Sequence, residues 1–130
     1  MSDNVLVDTS VWISFFRQGD QKVSLKLKQL LRNGSPVYTG LIATELIRGA
    51  KTKYEMDVLE ELFNVIGYIE TKEEYFRSAG ELGRQLAQKG IMIGTVDLLI
   101  AQIALTNDIG LFTLDTHFTA LARHTPLRLI

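Results

Sequence analysis

The chain has 130 residues, 46% of them hydrophobic and 22% charged, with no cysteine. That fits one domain spanning residues 1–130 with its own core, and it excludes a disordered chain, disulfides and thiolate metal sites. The net charge of −1 argues against tight nonspecific phosphate binding by a basic surface, but not against an acidic site bridged to phosphate by metal ions.

The start, Met1-Ser2-Asp3-Asn4, has neither the basic head nor the long apolar stretch of a signal peptide. No later segment reaches the ~20 apolar residues needed to cross a bilayer; Leu98 to Leu105 is the longest run and Gln102 interrupts it. A cytoplasmic protein with no membrane association is the expectation. Val5-Leu6-Val7 reads as a buried strand. Asp8-Thr9-Ser10 then opens a helix through Val11, Trp12, Phe15 and Phe16, which Gly19 ends. Gln21 to Arg32 places Val23, Leu27, Leu30 and Leu31 at helical spacing, and Asn33-Gly34 stops it. Pro36 to Thr39 is a second strand, Leu41 to about Lys51 a third helix, and Met56, Leu59, Leu62 and Phe63 mark a fourth. Val65 to Ile69 is a third strand interrupted by Gly67, and Thr71 to Lys89 a long helix with a capping box, Thr71 and Glu74. Thr95 to Thr106 is apolar on nearly every side, which predicts a helix inside the domain. Leu111-Phe112-Thr113 is a fourth strand, and Leu127 to Ile130 a fifth at the sheet edge.

Strands alternating with helices predict an α/β fold, a mostly parallel sheet covered on both faces, with ligands beyond the carboxyl ends of its strands. Asp8 and Asp115 both follow strands there, although each also precedes a helix that it suits as a cap. Asp97 lies in the first turn of the apolar helix. It either complements the helix dipole or, because a charge near such an interior is costly, is paired or metal-bound. Glu45 sits mid-helix and caps nothing, with Leu41 and Ile42 on its own side; an ion pair with Arg48 is the plainest structural role for it. Together, four converging carboxylates repel one another unless a divalent cation removes the penalty, and Mg²⁺ and Mn²⁺ prefer such oxygen ligands.

Four stretches match a known pattern in order and spacing: Val5-Leu6-Val7-Asp8-Thr9-Ser10-Val11-Trp12-Ile13, Thr44-Glu45-Leu46-Ile47-Arg48-Gly49, Thr95-Val96-Asp97-Leu98-Leu99-Ile100-Ala101, and Phe112-Thr113-Leu114-Asp115-Thr116-His117-Phe118. The chain resembles PIN-domain ribonucleases, and most of all the VapC toxins of toxin–antitoxin pairs. The resemblance implies a PIN-like α/β/α sandwich and a metal-dependent endoribonuclease using Mg²⁺ or Mn²⁺. It implies an RNA substrate, a small cognate antitoxin protein as partner, and a homodimer. By the same resemblance Asp8 and Asp97 are the principal metal ligands, with Glu45 and Asp115 completing the catalytic acids and Ser10 and Thr113 supporting them. Many relatives carry an aspartate where this chain has His117, which puts a second metal site in doubt. The mechanism it suggests is metal-assisted phosphodiester hydrolysis, with Glu45 or Asp115 orienting the water.

Beyond the acids, Arg17, Arg48 and Lys51 are expected near the pocket, on RNA phosphates. His117 and His124 alone do not make a zinc site, Trp12, Phe15 and Phe16 suit core or interface, and Lys22, Lys26, Lys28 and Arg32 suit a solvated helix face. Two other readings stand beside the nuclease: a catalytically inactive PIN-like module that binds protein or RNA, and phosphoryl transfer through Asp8. Ser10, where the latter would want a second acid, ranks it last.

Overall fold

In the computed structural model, which describes residues 3–130, the run Val5–Val7 forms β1, buried along its whole length. Met1 and Ser2, which head the start read above as lacking a leader, lie outside the described residues. β1 stands between β2 (Pro36–Thr39) and β4 (Gly110–Phe112), with Leu6 opposite both Val37 and Leu111, and β2 also pairs with β3 (Gly67–Ile69). Every strand pairing is parallel, and the order is β3-β2-β1-β4. No helix among the described residues is long and apolar enough to cross a membrane.

Parallel neighbours require crossovers, and right-handed ones fix which helix covers which face. The chain steps from β1 to β2 through α1 (Thr9–Phe16) and α2 (Gln21–Arg32), then from β2 to β3 through α3 (Gly40–Gly49) and α4 (Lys53–Val65). Both steps run the same way, so these four helices share one face. The return from β3 to β4 runs oppositely and lays α5 (Glu73–Gln88) and α6 (Thr95–Thr106) on the other, where they pack on each other and α7 (His117–His124) joins α6. The three layers expected from the sequence are the layers that form. α6 is the buried helix foreseen, with Leu98, Leu99, Ile100, Ala101, Ile103 and Ala104 all in the core.

Several boundaries are corrected. α3 ends at Gly49, two residues short of Lys51, and Val65 closes α4 instead of opening β3. The capping box at Thr71 and Glu74 does not form: α5 begins at Glu73 behind Lys72, which makes no side-chain cap, so Thr71 lies one residue too early. A capping arrangement occurs instead at α4, where the Glu55 N–H donates to Thr52 Oγ1 (3.1 Å) and the Lys51 N–H to Glu55 Oε2 (2.6 Å). The turn after α1 is made by Gln18, at φ 53°, while Gly19 donates its N–H back to the Ser14 carbonyl. The expected fifth strand shrinks to one parallel bridge between Leu111 and Leu129.

Candidate active site

Strand order decides where the acids meet. β1 leads to β2 on one side, yet β4 returns on the other, so the crevice between the carboxyl ends of β1 and β4 is the sheet's switch point. Asp8 follows β1 directly, its N–H bonding the Phe112 carbonyl at 2.9 Å, and Asp115 lies just past β4.

Asp8 is 6% exposed and stands at the N-cap of α1, but its side chain caps nothing. Its Oδ2 accepts from two hydroxyls, Ser10 Oγ at 2.7 Å and Thr113 Oγ1 at 2.8 Å. Each hydroxyl has one hydrogen, so both are committed to Asp8, and each accepts a main-chain N–H from the turn after β4: Leu114 into Ser10 (3.0 Å) and Asp115 into Thr113 (3.0 Å). Two adjacent N–H groups thus hold two hydroxyls, which together hold one carboxylate oxygen. No described residue donates to the other oxygen, Oδ1.

Asp97 lies in the first turn of α6 with its side chain 23% exposed. Burial, and after it the negative charge of Asp115, push its carboxyl above the ordinary range; the His117 hydrogen bond and charge offset part of this, and Asp8 adds to the rise. Asp115 Oδ1 accepts the His117 N–H at 2.9 Å, so it holds the first N–H of α7, although the N-cap position falls on Thr116 and not on Asp115 as the capping reading had it. His117 closes the group, its Nδ1 standing 3.3 Å from Asp97 Oδ2 and 3.2 Å from Asp115 Oδ1. One ligand atom from each of these three residues lies within 4.8 Å of the others.

Glu45 makes no ion pair with Arg48 among the described residues; Thr9 Oγ1 donates to its Oε1 at 2.9 Å instead. Thr9 adjoins Asp8, so this bond fastens the α3 glutamate to the start of α1. Glu45 also lines a cleft of about 560 Å³ between α1, α3 and α4, with Arg17, Lys51, Phe16 and Tyr54 on its walls. Arg17 and Lys51 therefore reach the same cleft as Glu45, whereas Arg48 is exposed and does not line it. Trp12 is fully buried and Phe16 stacks on it with centroids 6.3 Å apart, one in the core and one at the cleft. Lys26 departs from the solvated face expected of it, lying 4.7 Å over the Phe112 ring.

The sequence marks His117 as a departure from the resembled family's pattern and, with His124, as too little for a zinc site; the structure puts His117 among the acids and leaves His124 exposed at the end of α7. The signal lay in its offset of two from Asp115, the reach of a side-chain-to-backbone turn.

Asp97, Asp115 and His117 could hold a divalent cation, with two carboxylates that repel one another and one imidazole nitrogen at a partly open site. The comparisons agree with the fold. The PIN domain profile matches residues 5–124. Ribonuclease VapC1 of Methanocaldococcus jannaschii is 31% identical over 112 residues, covering 84% of this chain and 74% of that protein. Ribonuclease VapC19 of Mycobacterium tuberculosis is 28% identical over 123 residues, covering 94% and 92%. Among solved structures, VapBC2 from Rickettsia felis bound to a DNA fragment from their promoter superposes with a TM-score of 0.79 at 23% identity, over 97% of this chain and 96% of that one.

Proposed function

We propose that this chain, which belongs to the PIN-domain family and within it to the VapC ribonucleases, is an endoribonuclease toxin that hydrolyses RNA phosphodiester bonds with a divalent cation, Mg²⁺ or Mn²⁺. The observation that carries the reading is the meeting of Asp8, Asp97 and Asp115 at the switch point, with Asp97 destabilised as an anion by its own neighbours.

Asp8 and Asp97 are the cation's principal ligands in this reading, with Asp115 beside them. When bound, the cation supplies charge neutralisation at the phosphate and activation of a water for attack. The chain's own residues do the rest. Ser10 and Thr113 orient Asp8 by engaging Oδ2, which leaves Oδ1 without a donor among the described residues. Thr9 holds Glu45 at the cleft wall, and in this reading its carboxylate accepts a proton from, or orients, the attacking water. Arg17 and Lys51 line the same cleft and bind the phosphates flanking the scissile bond, with Arg48 contributing from outside it. A small antitoxin protein is the proposed partner, supported by the relation to VapC ribonucleases and by a fold shared with VapBC complexes, and a homodimer is the proposed assembly.

The test is cleavage of a panel of RNAs by the purified chain with Mg²⁺ or Mn²⁺, with EDTA, and with Asp97→Asn. Cleavage that requires the cation and is lost in the variant is expected. Cleavage that survives both overturns the assignment, and RNA binding without cleavage under every condition favours the inactive module.

A further inference from the structure

We propose that the imidazole of His117 is a direct nitrogen ligand of the divalent cation at this centre, and that it biases the centre towards Mn²⁺ over Mg²⁺. The inference rests on the reading of a cation site at Asp8, Asp97 and Asp115, and it concerns the imidazole that stands against two of those acids.

The geometry comes first. His117 Nδ1 lies 3.3 Å from Asp97 Oδ2 and 3.2 Å from Asp115 Oδ1. In octahedral coordination with bonds of roughly 2.1 Å, neighbouring ligand atoms sit about 3 Å apart, the length of the edge they share. The nitrogen therefore already stands at ligand-to-ligand spacing from both acids. The main chain that carries the ring is held at the site, because the His117 N–H donates to the same Asp115 Oδ1 at 2.9 Å. A hydrogen-bonding role alone leaves an imbalance. A single ring N–H faces two carboxylate oxygens and satisfies one at a time, whereas a cation between them engages all three groups. The ring is also open: the His117 side chain is 69% exposed, so water and a phosphate oxygen have room to complete the shell.

The chemistry follows from the donor atom. Mg²⁺ favours oxygen ligands throughout, while imidazole favours the transition metals, so exchanging a carboxylate oxygen for a nitrogen costs Mg²⁺ affinity relative to Mn²⁺. His117→Asp replaces the nitrogen by a carboxylate and makes the set all-oxygen. The other histidine, His124, lies outside the cluster and does not supply the nitrogen.

The experiment uses the full chain stripped of metal and reloaded with Mn²⁺. Electron spin-echo modulation of the bound ion reports a directly coordinated nitrogen, and Mn²⁺ titration with Mg²⁺ as competitor gives the affinity ratio. Nitrogen modulation is expected in the wild type and absent in His117→Asp, with the Mn²⁺-to-Mg²⁺ affinity ratio falling in that variant. Bound Mn²⁺ without nitrogen modulation in the wild type overturns the inference while leaving the cation site standing; this measurement needs no variant to fold. An unchanged ratio in a folded His117→Asp protein also overturns it. A wild type that binds no Mn²⁺ overturns the cation site, and this inference with it.

Discussion

Replacing Thr113 by valine keeps the shape of the side chain and removes its hydroxyl. In the native structure that hydroxyl donates to Asp8 Oδ2 at 2.8 Å and accepts the Asp115 N–H at 3.0 Å. A hydrogen bond to a charged group contributes roughly 1.5–3 kcal/mol, and the lower end applies here because Thr113 is only half-buried and water replaces part of what is lost. A loss of about 1.5–2 kcal/mol lowers Tm by roughly 5–10 °C for a domain of this size. Removing a group that orients a metal ligand also costs about 10–100-fold in metal affinity or activity. Calorimetry or thermal circular dichroism of the metal-free protein checks the first figure and Mn²⁺ titration the second. Thr113→Ser, which keeps the hydroxyl, should restore most of both. The account of Asp8 is refuted if Thr113→Val melts within 1–2 °C of wild type and binds Mn²⁺ equally well, against the roughly 5 °C minimum just derived.

Asp97→Asn should abolish cleavage yet raise the stability of the metal-free protein, because burial and Asp115 hold the native carboxyl above its ordinary range. The sign follows from linkage: a raised native value gives stability that is full below the unfolded carboxyl's range and is lost as pH rises through the raised one. Wild-type Tm should therefore fall relative to Asp97→Asn across that window, and a difference that grows towards low pH would contradict it. Arg17→Ala and Lys51→Ala should each weaken RNA binding across sequences and lower its salt slope by about one ion. Binding measured between low and moderate salt tests this, and an unchanged slope removes the residue from the phosphate path. Gly34→Ala, at φ +67°, should cost about 1–2 kcal/mol in denaturant unfolding with no effect on metal binding.

The strands and the buried helix were legible because their signals are local. Val5–Val7 is β-branched and apolar, Gln21–Arg32 has helical spacing with Gly34 behind it, and Thr95–Thr106 is apolar all round. What failed was decided elsewhere. Thr71 and Glu74 satisfy the capping-box pattern as well as Thr52 and Glu55 do, but only the latter pair stands where a helix begins. Leu127 to Ile130 alternates like a strand, yet it meets the sheet at one bridge to Leu111. Asp8 and Asp115 were visible as residues following strands, and Asp97 and Glu45 as carboxylates on helices; their partners were not. Glu45 has Arg48 one turn away, and its hydrogen bond goes instead to Thr9, which is 36 positions distant in the chain. His117 stood out only as a departure from the family pattern, because its contact depends on Asp97, which a different element delivers.

The centre also explains why the fold and the cation should be coupled. Parallel strands bring Asp8 and Asp115 to one crevice, and α6 adds Asp97 from the opposite face of the sheet, so folding itself concentrates like charge. The hydroxyl pair of Ser10 and Thr113 answers this only at Asp8, and His117 only at Asp97 and Asp115. The remaining repulsion exists in the folded chain and not in the unfolded one, where these residues are dispersed. A cation that binds only the folded arrangement therefore stabilises it, by about 2.7 kcal/mol at a hundred times its dissociation constant. Tm of the wild type should rise with Mn²⁺ concentration along that logarithm. The same titration of Asp97→Asn should stay nearly flat, since the variant has already lost both the repulsion and the ligand. A rise of equal size in the two proteins would show the ion stabilising the chain from some other place.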